Sequence, residues 1–190
     1  MKREPDRMVL FTDAVVAIAI TLLVLPLVEI ASVPGDLRPA ELISHHWPQI
    51  LSFLLSFAVI AQLWMTHHRI FENVRAYTRP LMGLNMLWVL TIVVLPFPTE
   101  LVGSFGDDLF TQLFYVGTIL VSSVLLSGMT LLAHKDELSP RMVLASITPT
   151  VLLLIALLLV PLVNYYGLLL LLFGQVISRF IGPREGGTAR

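Results

Sequence analysis

The chain has no cysteine among its 190 residues. That excludes disulfides, thiolate metal sites and a cysteine nucleophile. Charge is also scarce. Asp, Glu, Lys and Arg make up 13% of residues, and the net charge is −1. Such a balance offers nothing to grip nucleic acid. There is no HExxH zinc motif, no GxSxG nucleophile elbow and no phosphate-cradling glycine loop. No enzyme activity, cofactor or metal site is therefore expected. Nor is a cleavable leader: the first apolar run is too long, it carries Asp13, and no small-residue cleavage site follows it.

What the chain has instead is apolar sequence in long blocks. Hydrophobic residues make up 56% of it, and the mean hydropathy is +0.85. A soluble domain of this size has to cover itself with polar groups, and this one could not. The composition predicts an all-α, polytopic integral membrane protein. Spans of about 20 residues are needed to cross a bilayer. They are expected at about Arg7–Val28, Trp47–Thr66, Pro80–Leu101 and Leu109–Ala133, with a Pro34-Gly35 loop after the first. The last apolar block, 142–181, is long enough for two spans, 142–162 and 166–181, split by Pro161 and the Asn164–Gly167 cluster. Residues 1–181 thus read as one six-helix transmembrane domain, and 182–190 as a disordered cytoplasmic tail.

Charge placement sets the orientation. Of the twelve Lys and Arg residues, eleven flank the spans on one side: Lys2, Arg3, Arg7, Arg69, Arg75, Arg79, Lys135, Arg141, Arg179, Arg184 and Arg190. Arg38 alone falls on the other. Cytoplasmic loops carry the excess of Lys and Arg. Both termini are therefore expected in the cytoplasm, with an even number of crossings.

The first span is the most informative segment. A carboxylate at membrane depth costs roughly 2.5–3.5 kcal/mol on insertion scales, so Asp13 there suggests function. At 100° per residue, Arg7, Phe11, Ala14, Ile18, Leu22, Leu25 and Glu29 form one stripe, with Thr21 beside it. Charged ends around bulky aliphatics suit a pore with a hydrophobic constriction. They also suit a packed core helix with polar ends, and periodicity alone favours packing. Thr21 by itself says little, because threonine in membrane helices commonly bonds back to a carbonyl one turn earlier.

Polar residues in the other spans are few. The second ends Trp64-Met-Thr66-His67-His68-Arg69, with Trp64 and His68 on one face. Asn85 lies about a turn inside the third. Buried polar groups need partners. One hydrogen-bonded cluster of Arg7, Asp13, Asn85 and either His67 or His68 is therefore expected at the cytoplasmic ends of spans one to three. His68 and Glu72 are i,i+4, but no third metal ligand has a defined spacing.

Arg7-x-x-x-Phe11-Thr12-Asp13, followed by Ala-Ile-Ala-Ile-Thr-Leu-Leu, closely resembles the RxxxFSD signature of the endolysosomal potassium channel family and its prokaryotic members. Thr12 stands where that family usually has serine, which keeps the hydroxyl. The resemblance continues through Ser56-Phe57, Trp64-x-x-His67-His68, Phe71, Asn85 and Leu95-Pro-Phe-Pro-Thr99. It covers roughly the first hundred residues well, and the rest by span count. It implies a single-repeat, potassium-permeable or potassium-selective leak channel in a prokaryotic cell membrane. The implied assembly is a homotetramer around the first helix. Ile18, Leu22 and Leu25 would form the constriction and Thr21 a hydroxyl ring. Arg7, Thr12, Asp13, Trp64, His67, His68 and Asn85 would hold the first helix in place. No TVGYG-like filter segment is present, so selection would rest on the constriction. The implied partners are potassium ions, the lipid bilayer and identical subunits, with no nucleic acid. The rival reading is a proton-coupled secondary transporter using the intramembrane Asp/His cluster. Against it, transporters commonly break their helices at the midplane, and span one reads as unbroken there.

Overall fold

The computed structural model describes residues 5–32, 38–72, 74, 78–135 and 139–160. The expected span 166–181 and the tail 182–190 lie outside the described residues, as does the end of the one-domain boundary at 181. Among the described residues eight helices run in order: α1 Pro5–Leu22, α2 Leu25–Ser32, α3 Pro39–His45, α4 Trp47–Phe71, α5 Arg79–Val94, α6 Pro96–Phe105, α7 Leu109–Ala133 and α8 Pro140–Leu159. No strand occurs among the described residues. Among the described residues, five stretches are long and apolar enough to cross a membrane: Arg7–Ser32, Trp47–Phe71, Arg79–Phe105, Leu109–Ala133 and Pro140–Leu159. The protein is an all-α integral membrane protein.

Helix starts follow local chemistry. Thr78, Asp108 and Ser139 each accept a hydrogen bond from a backbone N–H three residues on, and so cap α5, α7 and α8. Proline opens α3, α4, α5, α6 and α8, where its missing N–H costs nothing.

Two spans differ from the continuous helices expected. The first breaks between α1 and α2, at Leu23–Val24. Pro26 has no N–H for the Leu22 carbonyl, and its ring crowds that turn. The chain tightens instead, with Val24 N reaching Thr21 O at 3.4 Å. Leu25 and Glu29 thus lie beyond a break, and the stripe drawn through them does not run along one straight axis. The third span breaks in the same way at Leu95, ahead of Pro96 and Pro98.

α1 packs against α4 and α5; α4 packs against α6, α5 against α7, and α7 against α8. Trp88, Leu55, Ile60, Leu81, Ile92 and Met129 fill the centre. Backbones of α4 and α6 approach closely at Gly103. A Cβ there would meet Ser52 Oγ at 2.9 Å and Gln49 Cα at 3.2 Å, so glycine is required. Small residues that let helices close up are typical of membrane bundles.

Candidate functional site

α1 has two distinct faces. Met8, Thr12, Val16, Ala19 and Leu23 recur every three or four residues and are buried against α4 and α5. On the other side Phe11 is 52% exposed, Ile18 58%, Leu22 41% and Leu25 48%, and Thr21 is exposed with them. The packing that periodicity favoured for this stripe is therefore not found within the subunit. The core is made by the opposite face, because Thr12, Val16 and Ala19 are smaller and let the helices meet. Thr21 Oγ1 donates to the Ile18 carbonyl at 2.7 Å. Its only proton is thereby committed, and the lone pairs of its oxygen remain free to accept or to coordinate.

Polar contacts anchor the buried face. Asn85 Nδ2 donates to Thr12 Oγ1 at 3.0 Å, and Asn85 Oδ1 lies 2.6 Å from His67 Nε2. Because the amide nitrogen faces Thr12, its oxygen faces the imidazole, so Nε2 carries the proton. All three side chains have no exposed surface. The His67 ring is stacked on Trp88, with centroids 4.4 Å apart, and lies 4.5 Å from the Phe71 ring. Beside this chain, Trp64 Nε1 donates to Asp13 Oδ1 at 2.7 Å. One residue of α1 is thus tied to α5, and through it to α4; the next is tied directly to α4.

This corrects the single cluster expected from sequence. Asp13 pairs with Trp64, while Thr12, Asn85 and His67 form a separate chain. His67, and not His68, makes the bond to Asn85. His68 is exposed, lies against Trp64 with ring centroids 5.7 Å apart, and approaches Glu72 at 3.8 Å. Arg7 is exposed and has no ion pair among the described residues. It sits on the Phe11 side of the helix, turned away from Thr12. No group of three or more metal-ligating side chains occurs among the described residues.

Sequence reading missed two further polar groups. Ser56 Oγ lies 2.9 Å from Tyr115 Oη and 2.8 Å from Thr99 Oγ1, joining α4, α6 and α7. Ser123, Ser127 and Thr150 form a hydroxyl seam between α7 and α8. The i,i+4 spacings Ser123/Ser127 and Ser146/Thr150 were the available signal.

A family model described as the endosomal/lysosomal potassium channel TMEM175 matches residues 7–96. A potassium channel of Streptomyces collinus is 38% identical over 103 residues, covering 54% of this chain and 49% of that one. A potassium channel of Chamaesiphon minutus is 40% identical over 106 residues, 54% of this chain and 51% of that one. The human endosomal/lysosomal proton channel TMEM175 is 31% identical over 148 residues, 70% of this chain and 29% of that one. The chain thus spans about half the length of the bacterial relatives it matches, and less of the human one. In three dimensions it matches the crystal structure of a lysosomal potassium-selective channel TMEM175 homolog from Chamaesiphon minutus. There the TM-score is 0.78 and the identity 27%, over 92% of this chain and 95% of that one. The matched segment 7–96 carries α1 and every polar partner that holds it; along that segment and in fold, this chain is similar to the TMEM175 family.

Proposed function

We propose that this chain is the subunit of a potassium-permeable, potassium-preferring leak channel whose pore is lined by the exposed face of α1. One observation carries the reading. The helix bearing the family motif is anchored on one face by Thr12, Val16 and Ala19, and leaves an unbroken aliphatic face outward at Ile18 and Leu22. The potassium-channel names of the bacterial relatives support it. One helix cannot enclose a pore, so several copies must ring it, and closed cyclic symmetry is the default. Four copies is the number the family resemblance implies. The ring of Ile18, Leu22 and Leu25 side chains excludes water and keeps conduction low. The Thr21 oxygen, its proton turned to Ile18, offers a lone pair to a partly dehydrated cation. Thr12, Asp13, Trp64, His67 and Asn85 act structurally, setting the angle at which α1 faces the axis, with His68 lying against Trp64; Arg7, with no ion pair inside the subunit among the described residues, acts in assembly of the subunits. Both termini face the cytoplasm of a prokaryotic cell membrane.

The rival is a proton-coupled transporter working through Asp13 and His67. The human relative's name, a proton channel, keeps protons in view. Asp13 and His67 share no hydrogen bond, however; each is held by a different partner. Reconstitution into liposomes tests the proposal. A channel passes current set by the potassium gradient. Flux that follows a pH gradient and ignores the potassium gradient would overturn it.

A further inference from the structure

A cavity of about 120 Å³ lies between α4, α7 and α8, away from the face of α1 just described. Its wall is polar where α4 and α7 end and α8 begins: Gln62, Thr66, Ser127, Thr130 and Ser146 all line it. Towards the middle of the bundle it closes on Val59 and Leu153.

The polar wall is made almost wholly of acceptors. Thr66 Oγ1 donates to the Gln62 carbonyl at 2.9 Å, and Thr130 Oγ1 to the Leu126 carbonyl at 2.9 Å. Ser146 Oγ donates to the Val143 carbonyl at 2.9 Å. Ser127 Oγ lies 2.7 Å from the Ser146 carbonyl, pinning α7 to α8. Each hydroxyl has spent its one proton and turns lone pairs to the space that remains. Pro149 sits on the same wall and has no N–H for the Ala145 carbonyl, which loses its helical donor. The Gln62 side-chain amide makes no hydrogen bond among the described residues, so it adds two N–H donors and one acceptor oxygen to this acceptor-rich wall. Backbone groups left without a helical partner at membrane depth are tolerated where they are buried in protein or line a water-filled cavity.

We propose that this cavity is a binding site for a small amphipathic molecule with one hydroxyl donor and a short alkyl chain, a primary alkanol in the simplest form. The hydroxyl gives its proton to the acceptor wall and accepts from the Gln62 amide, so an ether could make only the second of these bonds. The alkyl part lies against Val59 and Leu153. Size agrees: an apolar protein cavity of about 150 Å³ admits benzene. Water alone suits one end better than the other, because each buried water needs about three polar partners and the inner end offers only the Ser123 hydroxyl, already bonded to Thr150.

Photolabelling of the purified full chain with a diazirine-bearing butanol tests this, with adducts mapped by peptide mass. The expected result is saturable labelling on α4, α7 and α8 around Val59, Ser127 and Leu153. Excess 1-butanol should compete with it. Diethyl ether, an isomer with no donor, should compete far less. Gln62→Leu should raise the concentration for half-saturation about fivefold, the worth of one ordinary hydrogen bond. Ala145→Phe, which fills the space from α8, should abolish the saturable component while the oligomer elutes normally. Adducts spread without saturation over outward residues such as Leu90 and Leu113 would overturn the proposal. So would equal competition by the ether, or unchanged labelling in Ala145→Phe.

Discussion

Replacing Asn85 by leucine should loosen α1 from the bundle, and adding two further apolar replacements should restore most of the loss. Asn85 is wholly buried and makes two contacts, to His67 Nε2 at 2.6 Å and to Thr12 Oγ1 at 3.0 Å. Leucine strands the His67 N–H and leaves Thr12 Oγ1 without its donor. Hydrogen bonds between helices in membranes contribute about 0.6 kcal/mol each on average, up to about 1.7. Two of them give an expected loss of about 1–3 kcal/mol. In the triple variant Thr12→Val, His67→Phe, Asn85→Leu nothing polar is left to strand, so stability should recover towards that of the native chain. Phenylalanine keeps a ring against Trp88 and Phe71, where His67 now stacks. Equilibrium unfolding in mixed micelles, driven by SDS and followed by tryptophan fluorescence, reads the difference. Trp88 reports directly because it lies on the His67 ring. An Asn85→Leu protein as stable as the native chain would refute the reasoning. So would a triple variant less stable than Asn85→Leu alone, since stranded polar groups would then not be the cause.

Ile18→Asn or Leu22→Asn should raise single-channel conductance and weaken discrimination against sodium, whereas Val16→Asn, on the buried face, should abolish folding; planar-bilayer recording beside size-exclusion profiles separates the two. Thr21→Val should leave the yield unchanged and lower potassium preference, read as a shift in reversal potential under mixed potassium and sodium. Asp13→Ala should cost about 1–3 kcal/mol by stranding the Trp64 N–H, while Asp13→Asn keeps an acceptor and should cost less in the same SDS titration. Arg7→Ala, with no ion pair inside the subunit among the described residues, should leave that unfolding curve in place, and any defect should appear in oligomer yield. Single cysteines at Asp36 and Lys135 should react with an impermeant maleimide from opposite sides; the native chain adds no background because it has no cysteine.

The sequence by itself determined the membrane class, the places of the five described spans and the motif that carries the family resemblance. These are properties of composition, length and local spacing, and they hold whatever the helices pack against. It also marked the residues that anchor α1, because Thr12, Asp13, Trp64, His67 and Asn85 are the polar exceptions in apolar spans. Which of them pair was decided only by tertiary structure. Trp64 and His67 lie three residues apart on one helix, yet one meets Asp13 and the other Asn85, because α1 packs against both α4 and α5, an arrangement that spacing does not encode. The same is true of the outward stripe. Periodicity identifies a face of α1 but cannot say whether that face or its opposite is buried. That choice went to Thr12, Val16 and Ala19, whose small side chains let three helices close together, and so Ile18 and Leu22 were left outside. The break at Leu23–Val24 lay in the sequence as Pro26, two residues before the expected span end at Val28, but a proline near a helix end can kink, cap or merely terminate. Only the folded chain distinguishes these, through a tightened turn in which Val24 N reaches Thr21 O in place of the α-helical acceptor Ile20 O.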